Sequence, residues 1–172
     1  SAGLFDDAVA SYERAPPDIP RRARALSTLG DTLVVLGRAD EAIRRYEAAV
    51  AAEPSMPEAR NNLGAALWRK GDLLRAEREL NEAIRLRPDY AEAYFNLGHA
   101  AVRDRRLADA AGHFRKAATL KDDWVVALTT AAWVLSTAGD SVARVPAEAV
   151  TFAERAVRLT ARHDARTLDV LA

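Results

Sequence analysis

The chain is 172 residues long and balances 25 Lys and Arg against 25 Asp and Glu, so it lacks the overall basic field that draws in nucleic acid. Hydrophobic residues make up 49%, yet no uninterrupted apolar stretch approaches the roughly 18 to 20 residues a membrane span needs. Cysteine is absent, which removes disulfides, thiol nucleophiles and cysteine-based zinc sites together.

Laid on itself, the chain repeats every 34 residues, and the elements follow in order. Residues 1–22 match only the second helix of a repeat, with Ala8, Tyr12 and Ala15 in register and Pro20 expected to stop the helix. Three full repeats follow at 23–56, 57–90 and 91–124, the last two superposing without a gap. A fourth, 125–163, carries extra residues between Gly139 and Ala149, read as a loop over 141–146 with Pro146 near the first turn of the next helix. Residues 164–172 match the start of a further first helix, with Leu168, Leu171 and Ala172 in the expected columns. Since both ends fall inside repeats and Ser1 is not Met, the parent protein is expected to continue in both directions, and the piece to pair with another copy through its exposed ends.

The columns carry the physics. Gly30, Gly64, Gly98 and Ala132 form a small-residue ladder on the first helices; Ala42, Ala76, Ala110 and Ala149, then Ala49, Ala83, Ala117 and Ala156, form two more on the second helices. Bulky columns lie between them: Leu29, Leu63 and Leu97 on the first helices, Tyr46, Leu80 and Phe114 on the second. Small residues let backbones approach while large ones fill the grooves, so the pattern specifies stacked antiparallel helix pairs. Gly3, Gly37, Gly71 and Gly139 recur where a left-handed cap is wanted, and Pro54 and Pro88 end second helices. Ser55 with Glu58 and Asp89 with Glu92 have capping-box spacing, while Asp72 and Asp140 sit where a second helix would be N-capped.

Tyr94-x-x-Leu97-Gly98 followed by Ala110-x-x-x-Phe114 resembles the tetratricopeptide pattern of W-x-x-L-G-x-x-Y, A-x-x-x-F and a closing P, and the resemblance covers essentially the whole chain. Arg60 replaces the Trp, Arg105 the turn Gly and Asp122 the closing Pro, which weakens single positions without disturbing the register. The resemblance implies an all-α fold, a right-handed superhelical solenoid of antiparallel helix pairs. It is similar in style to bacterial arrays and to the repeat region of O-GlcNAc transferase.

Nothing resembles an active site. His99 and His113 lie on different helices, His163 falls in a terminal loop, and no phosphate-binding loop or nucleophile motif is present, so no catalysis, metal or cofactor is expected. In such arrays the first helices line the concave face, and the peptide-binding candidates are Asn62, Asn96, Phe95, His99, Trp68, Trp133, Arg69 and Arg103. Asn62 and Asn96 occupy the place of the asparagine ladder in O-GlcNAc transferase, where an amide grips a peptide backbone; Thr28 and Thr130 replace the adjacent rungs, and a structural role for the two Asn is the competing reading. Trp68, Phe95 and Trp133 with His99 either cup apolar ligand side chains or pack as ordinary half-buried aromatics. The chaperone-tail clamp of Lys, Asn, Asn, Lys and Arg is not matched: Ser27, Asp31, Asn62, Glu92 and Asn96 stand there in one frame, and Asn61, Ala65, Asn96, Val126 and Thr130 in the next. The 22 Arg are spread along the chain, which fits a compositional bias better than an anion-gripping surface.

The expected function is therefore a scaffold that binds a protein or extended peptide, in a soluble and cytoplasmic setting. The rivals are the substrate-recruiting arm of a larger enzyme such as a glycosyltransferase, and a self-assembly module.

Overall fold

The computed structural model describes residues 19–137 and 145–170, with side chains over 21–137 and 145–161. Among them are eight helices and no strand: α1 (Ile19–Val35), α2 (Ala39–Ala52), α3 (Pro57–Lys70), α4 (Leu73–Leu86), α5 (Ala91–Arg103), α6 (Leu107–Leu120), α7 (Val125–Thr137) and α8 (Pro146–Val170). The chain forms two units, 1–88 and 89–172. In the first, α1 pairs with α2 and α3 with α4, and α3 packs on the preceding pair; in the second, α5 pairs with α6 and α7 with α8, and α7 packs on α6.

The first three pairs close through the same turn. After α1, Arg38 N–H donates to Leu33 O and Gly37 N–H to Val34 O; after α3, Asp72 donates to Leu67 and Gly71 to Trp68; after α5, Arg106 donates to Ala101 and Arg105 to Val102. This pair of hydrogen bonds from the two residues past the helix satisfies its last carbonyls and needs positive φ at the first of them. Gly37 and Gly71 supply φ of 74° and 99°, and Arg105 adopts 60° in spite of its Cβ. The third turn thus keeps its geometry at a backbone cost of roughly 1–2 kcal/mol.

The glycine ladder is an interlock. A Cβ on Gly30 would lie 2.5 Å from Tyr46 Cε1, on Gly64 2.6 Å from Leu80 Cγ, and on Gly98 2.6 Å from Phe114 Cε1. The first helix of each pair gives up a side chain so that the large residue sixteen positions on can lie across its backbone. Ala42, Ala76, Ala110, Ala49, Ala83 and Ala117, the second-helix ladders, are fully buried. Burying one Leu80-sized side chain is worth about 1.5–3 kcal/mol.

The last pair breaks this pattern. Ala132 stands in the glycine column, and Ala153, four residues past Ala149, occupies the place taken by Phe114 four past Ala110. With no large side chain at either of these two positions, an apolar surface cavity of about 260 Å³ opens along α7 and α8, lined by Val125, Thr129, Ala132, Ala153, Ala156, Val157 and Thr160.

Several local expectations are corrected. Ser55 and Asp89 are not the N-caps: Met56 and Tyr90 are, neither with a side-chain cap bond. Pro57 forces its predecessor into the extended region and so sets the start of α3 itself. The box glutamates are drawn elsewhere, Glu58 to Arg87 and Glu92 to Lys121, the latter at 2.9 Å. Asp72 does cap, accepting from Arg75 N–H at 3.3 Å. Pro20 lies in the first turn of α1, where its missing N–H costs nothing; the helix it is expected to stop lies outside the described residues. His163, expected in a loop, falls inside α8, because no Pro or Gly interrupts residues 147–170. Pro146 opens α8 as expected. Gly3, Gly139, Asp140, most of the 141–146 loop and the Leu168, Leu171 and Ala172 side chains lie outside the described residues.

Several of the arginines serve as struts between helices. Arg60 reaches Glu79 at 2.8 Å across α3 and α4, Arg75 pairs with Glu47 across α4 and α2, and Arg115 with Glu148 at 2.8 Å across α6 and α8.

Candidate peptide-binding site

In the first unit the polar face of α1 meets that of α3 at Asn62. Its Nδ2 donates to Asp31 Oδ1 at 3.1 Å and to Ser27 Oγ at 3.3 Å, and its Oδ1 accepts from Asn61 Nδ2 at 3.2 Å. Both amide hydrogens of this rung are therefore engaged within the chain, and they satisfy the buried Ser27. Asp31 Oδ1 also accepts from the Tyr46 hydroxyl at 2.7 Å. Burial first, then this bond and the Asp31 charge, hold the Tyr46 phenol protonated well above its ordinary range. Thr28, beside this cluster, donates its hydroxyl to Arg24 O in its own helix at 3.0 Å.

Trp68, at the end of α3, is half-buried and packs against the Leu29–Leu33–Tyr46–Leu63 core. Arg69 is exposed; its guanidinium lies 5.1 Å from the Trp68 ring centroid and donates to Ala65 O at 3.0 Å. Trp68 thus offers a ring already capped by a neighbouring cation.

In the second unit Phe95 and His99, one turn apart on α5, meet edge to face at 4.7 Å between ring centroids. Phe95 also lies 5.4 Å from Phe114 and 4.6 Å from Trp124, and His99 lies 5.1 Å from Phe114. These separations are those of packed aromatic pairs, so both rings brace the junction of α5, α6 and the Trp124 turn and show solvent only part of their surface. Asn96 is half-buried on α5, and Arg103 is exposed in its last turn. Trp133 differs from every other aromatic of the set, with 66% of its surface exposed on α7.

Two participants were not among the eight candidates. Asp31 stands in the face of α1 and organises the Ser27–Asn62–Tyr46 cluster; Tyr46 looked like a packing residue because Leu80 and Phe114 fill its column. The signal was a Tyr in an apolar column, whose hydroxyl must find a partner once its ring is buried. Among the described residues no group of three or more His, Asp or Glu could hold a metal ion, and no helix is long and apolar enough to cross a membrane.

By sequence, no curated protein matches the chain. The structure is similar to a crystal structure of MamA, with a TM-score of 0.74 at 24% identity over 95% of this chain and 92% of that one. It is also similar to the first such domain of human RPAP3, with a TM-score of 0.62 at 26% identity over 65% of this chain and 88% of that one. A third similar structure is the first domain of Spaghetti (RPAP3) bound to the HSP90 peptide SRMEEVD, with a TM-score of 0.64 at 24% identity over 69% and 94%. The Tetratricopeptide repeat family model matches residues 27–88 and 66–123, together more than half of the sequence. With the interlocked glycine ladder and the repeated helix-pair turn, this places the all-α chain in the tetratricopeptide repeat family.

Proposed function

We propose that the chain is a protein-interaction scaffold that holds a partner peptide or protein segment against the exposed faces of its first helices and carries no catalysis of its own. The observation that carries the proposal is Trp133. A solvent-facing indole on a first helix is costly to leave in water and is the kind of side chain that anchors interfaces. Asn96 and Arg103 on α5 offer hydrogen bonds in the second unit, Phe95 and His99 an aromatic edge, and Asn62, Trp68 and Arg69 the corresponding surface in the first. The repeat family and the peptide complex of the RPAP3 domain support this reading. An aqueous, cytoplasmic setting and pairing through the repeat ends belong to the same proposal; sedimentation as a monomer at high concentration would overturn the pairing.

The test is to select binders from short displayed peptides of randomised sequence with the full chain, then titrate them by calorimetry. Trp133→Ala is expected to weaken the selected peptides about tenfold or more. Asn96→Ala with Arg103→Ala is expected to cost less. Absence of any selected binder, or binders indifferent to all three substitutions, sinks the proposal.

A further inference from the structure

Several carboxylates of the first unit are ion-paired, and Asp31 is held differently. Glu58 is paired with Arg87, Asp40 with Lys70, Glu47 with Arg75, Glu79 with Arg60 and Glu41 with Arg38. Each has its charge answered by a cation supplied by a neighbouring turn or helix. Asp31 is exposed, and its described partners are two neutral donors, the Tyr46 hydroxyl at 2.7 Å and the Asn62 amide at 3.1 Å.

Both donors converge on the same oxygen, Oδ1. They fix the carboxylate's orientation without forming an ion pair with it, although the Arg69 charge reaches the Tyr46 phenol beside it, and the lone pairs of Oδ2 can take a further donor. Tyr46 is a rigid post for this purpose, since its ring is pinned across the backbone of Gly30 and its column neighbours are fully buried. Asn62 is held by Ser27 and Asn61 in turn. An anion so positioned, with no side-chain freedom left to lose, is a preorganised receptor for a positive charge. Equivalent positions one, two and three repeats on are Ala65, His99 and Trp133, so the feature belongs to the first unit alone.

We propose that Asp31, oriented by Tyr46 and Asn62, is the specificity-determining residue of the first unit and accepts the Lys or Arg side chain of a bound polypeptide. The inference rests on the scaffold reading and gives it a polarity. A C-terminal carboxylate would meet Asp31 as a like charge, whereas a cationic side chain completes the arrangement without displacing an existing partner. In this role Asn62 acts through Asp31 as a positioning residue.

The experiment uses the full chain and the displayed random peptides. Selected sequences are expected to be enriched in Lys or Arg at one register position. For one such peptide and its cation-to-Gln counterpart, binding is measured to the wild type, Asp31→Asn and Tyr46→Phe. Asp31→Asn keeps an acceptor for Tyr46 and Asn62 while removing the charge, so circular dichroism and melting should change little. The wild type is expected to prefer the cationic peptide by about fivefold at low salt, less at high salt, and Asp31→Asn to abolish the preference. Tyr46→Phe, which retains the ring but frees the carboxylate, is expected to reduce it. A cation preference unchanged in Asp31→Asn, or binders with no such preference, overturns this inference and leaves the scaffold reading intact. Failure to select any peptide overturns both.

Discussion

The second unit holds two helix pairs built to one plan and finished differently. In α5–α6, Gly98 lies under Phe114 and Glu92 is braced by Lys121 at 2.9 Å. In α7–α8 the corresponding positions are Ala132 and Ala153, then Val126 and Thr160, so both the aromatic interlock and the ionic strut are gone and an apolar cavity of about 260 Å³ opens. The pair still forms, because Ala127, Leu128, Ala131, Leu135, Ala149 and Ala156 remain buried in it. A repeat therefore needs its small-residue ladders to exist at all. The glycine and its bulky partner add close interdigitation, and they matter only as a matched pair.

The strongest way to break the comparison is Phe114→Ala. It gives α5–α6 the cavity that α7–α8 already has, and it should lower unfolding free energy in urea by about 3–5 kcal/mol. Next comes Gly98→Ala, whose Cβ must displace the Phe114 ring and should cost about 1–3 kcal/mol by the same measurement despite alanine's better helix propensity. At the matching position Ala132→Gly should cost only about 1 kcal/mol, from propensity alone. Ala153→Leu runs the comparison the other way: partial filling of the cavity should stabilise the chain by about 1 kcal/mol and raise its melting temperature. If Ala153→Leu destabilises instead, the cavity is closed by something other than the missing column residue.

Smaller effects test the turns and struts. Arg105→Gly relieves the positive φ but loosens the unfolded chain, so a net gain of about 0.5–1 kcal/mol is expected in thermal unfolding. The smallest concerns Glu58. Burial alone would push its carboxyl up, but the Arg87 hydrogen bond, a bond from its own backbone N–H and the charges of Arg87 and Arg24 together more than offset this and hold it below the ordinary glutamate range. A depressed folded-state value contributes stability present above the unfolded value and lost as pH falls through the folded one. Glu58→Gln should therefore be slightly less stable than the wild type at neutral pH and converge with it in acid, as followed by urea midpoints against pH.

What could be read from the sequence alone was whatever is local or strictly periodic. The 34-residue register, the ladders Ala42–Ala76–Ala110 and Gly30–Gly64–Gly98, the stops at Pro54 and Pro88 and the cap at Asp72 depend on spacing along one chain, and spacing is visible in one dimension. Short-range competition was already beyond it. Ser55 and Asp89 have the right spacing for caps, but Pro57 set one boundary and the glutamates found Arg87 and Lys121, partners 29 residues away. The candidate site was legible only as a set of positions on first helices. That the Asn62 amide bonds Ser27 and Asp31, that Phe95 and His99 pack with Phe114 and Trp124, and that Tyr46 anchors a carboxylate were decided by tertiary structure. The physical reason is that a polar or aromatic side chain takes the best partner within reach, and in a stacked repeat that partner sits 15 to 35 residues away in sequence.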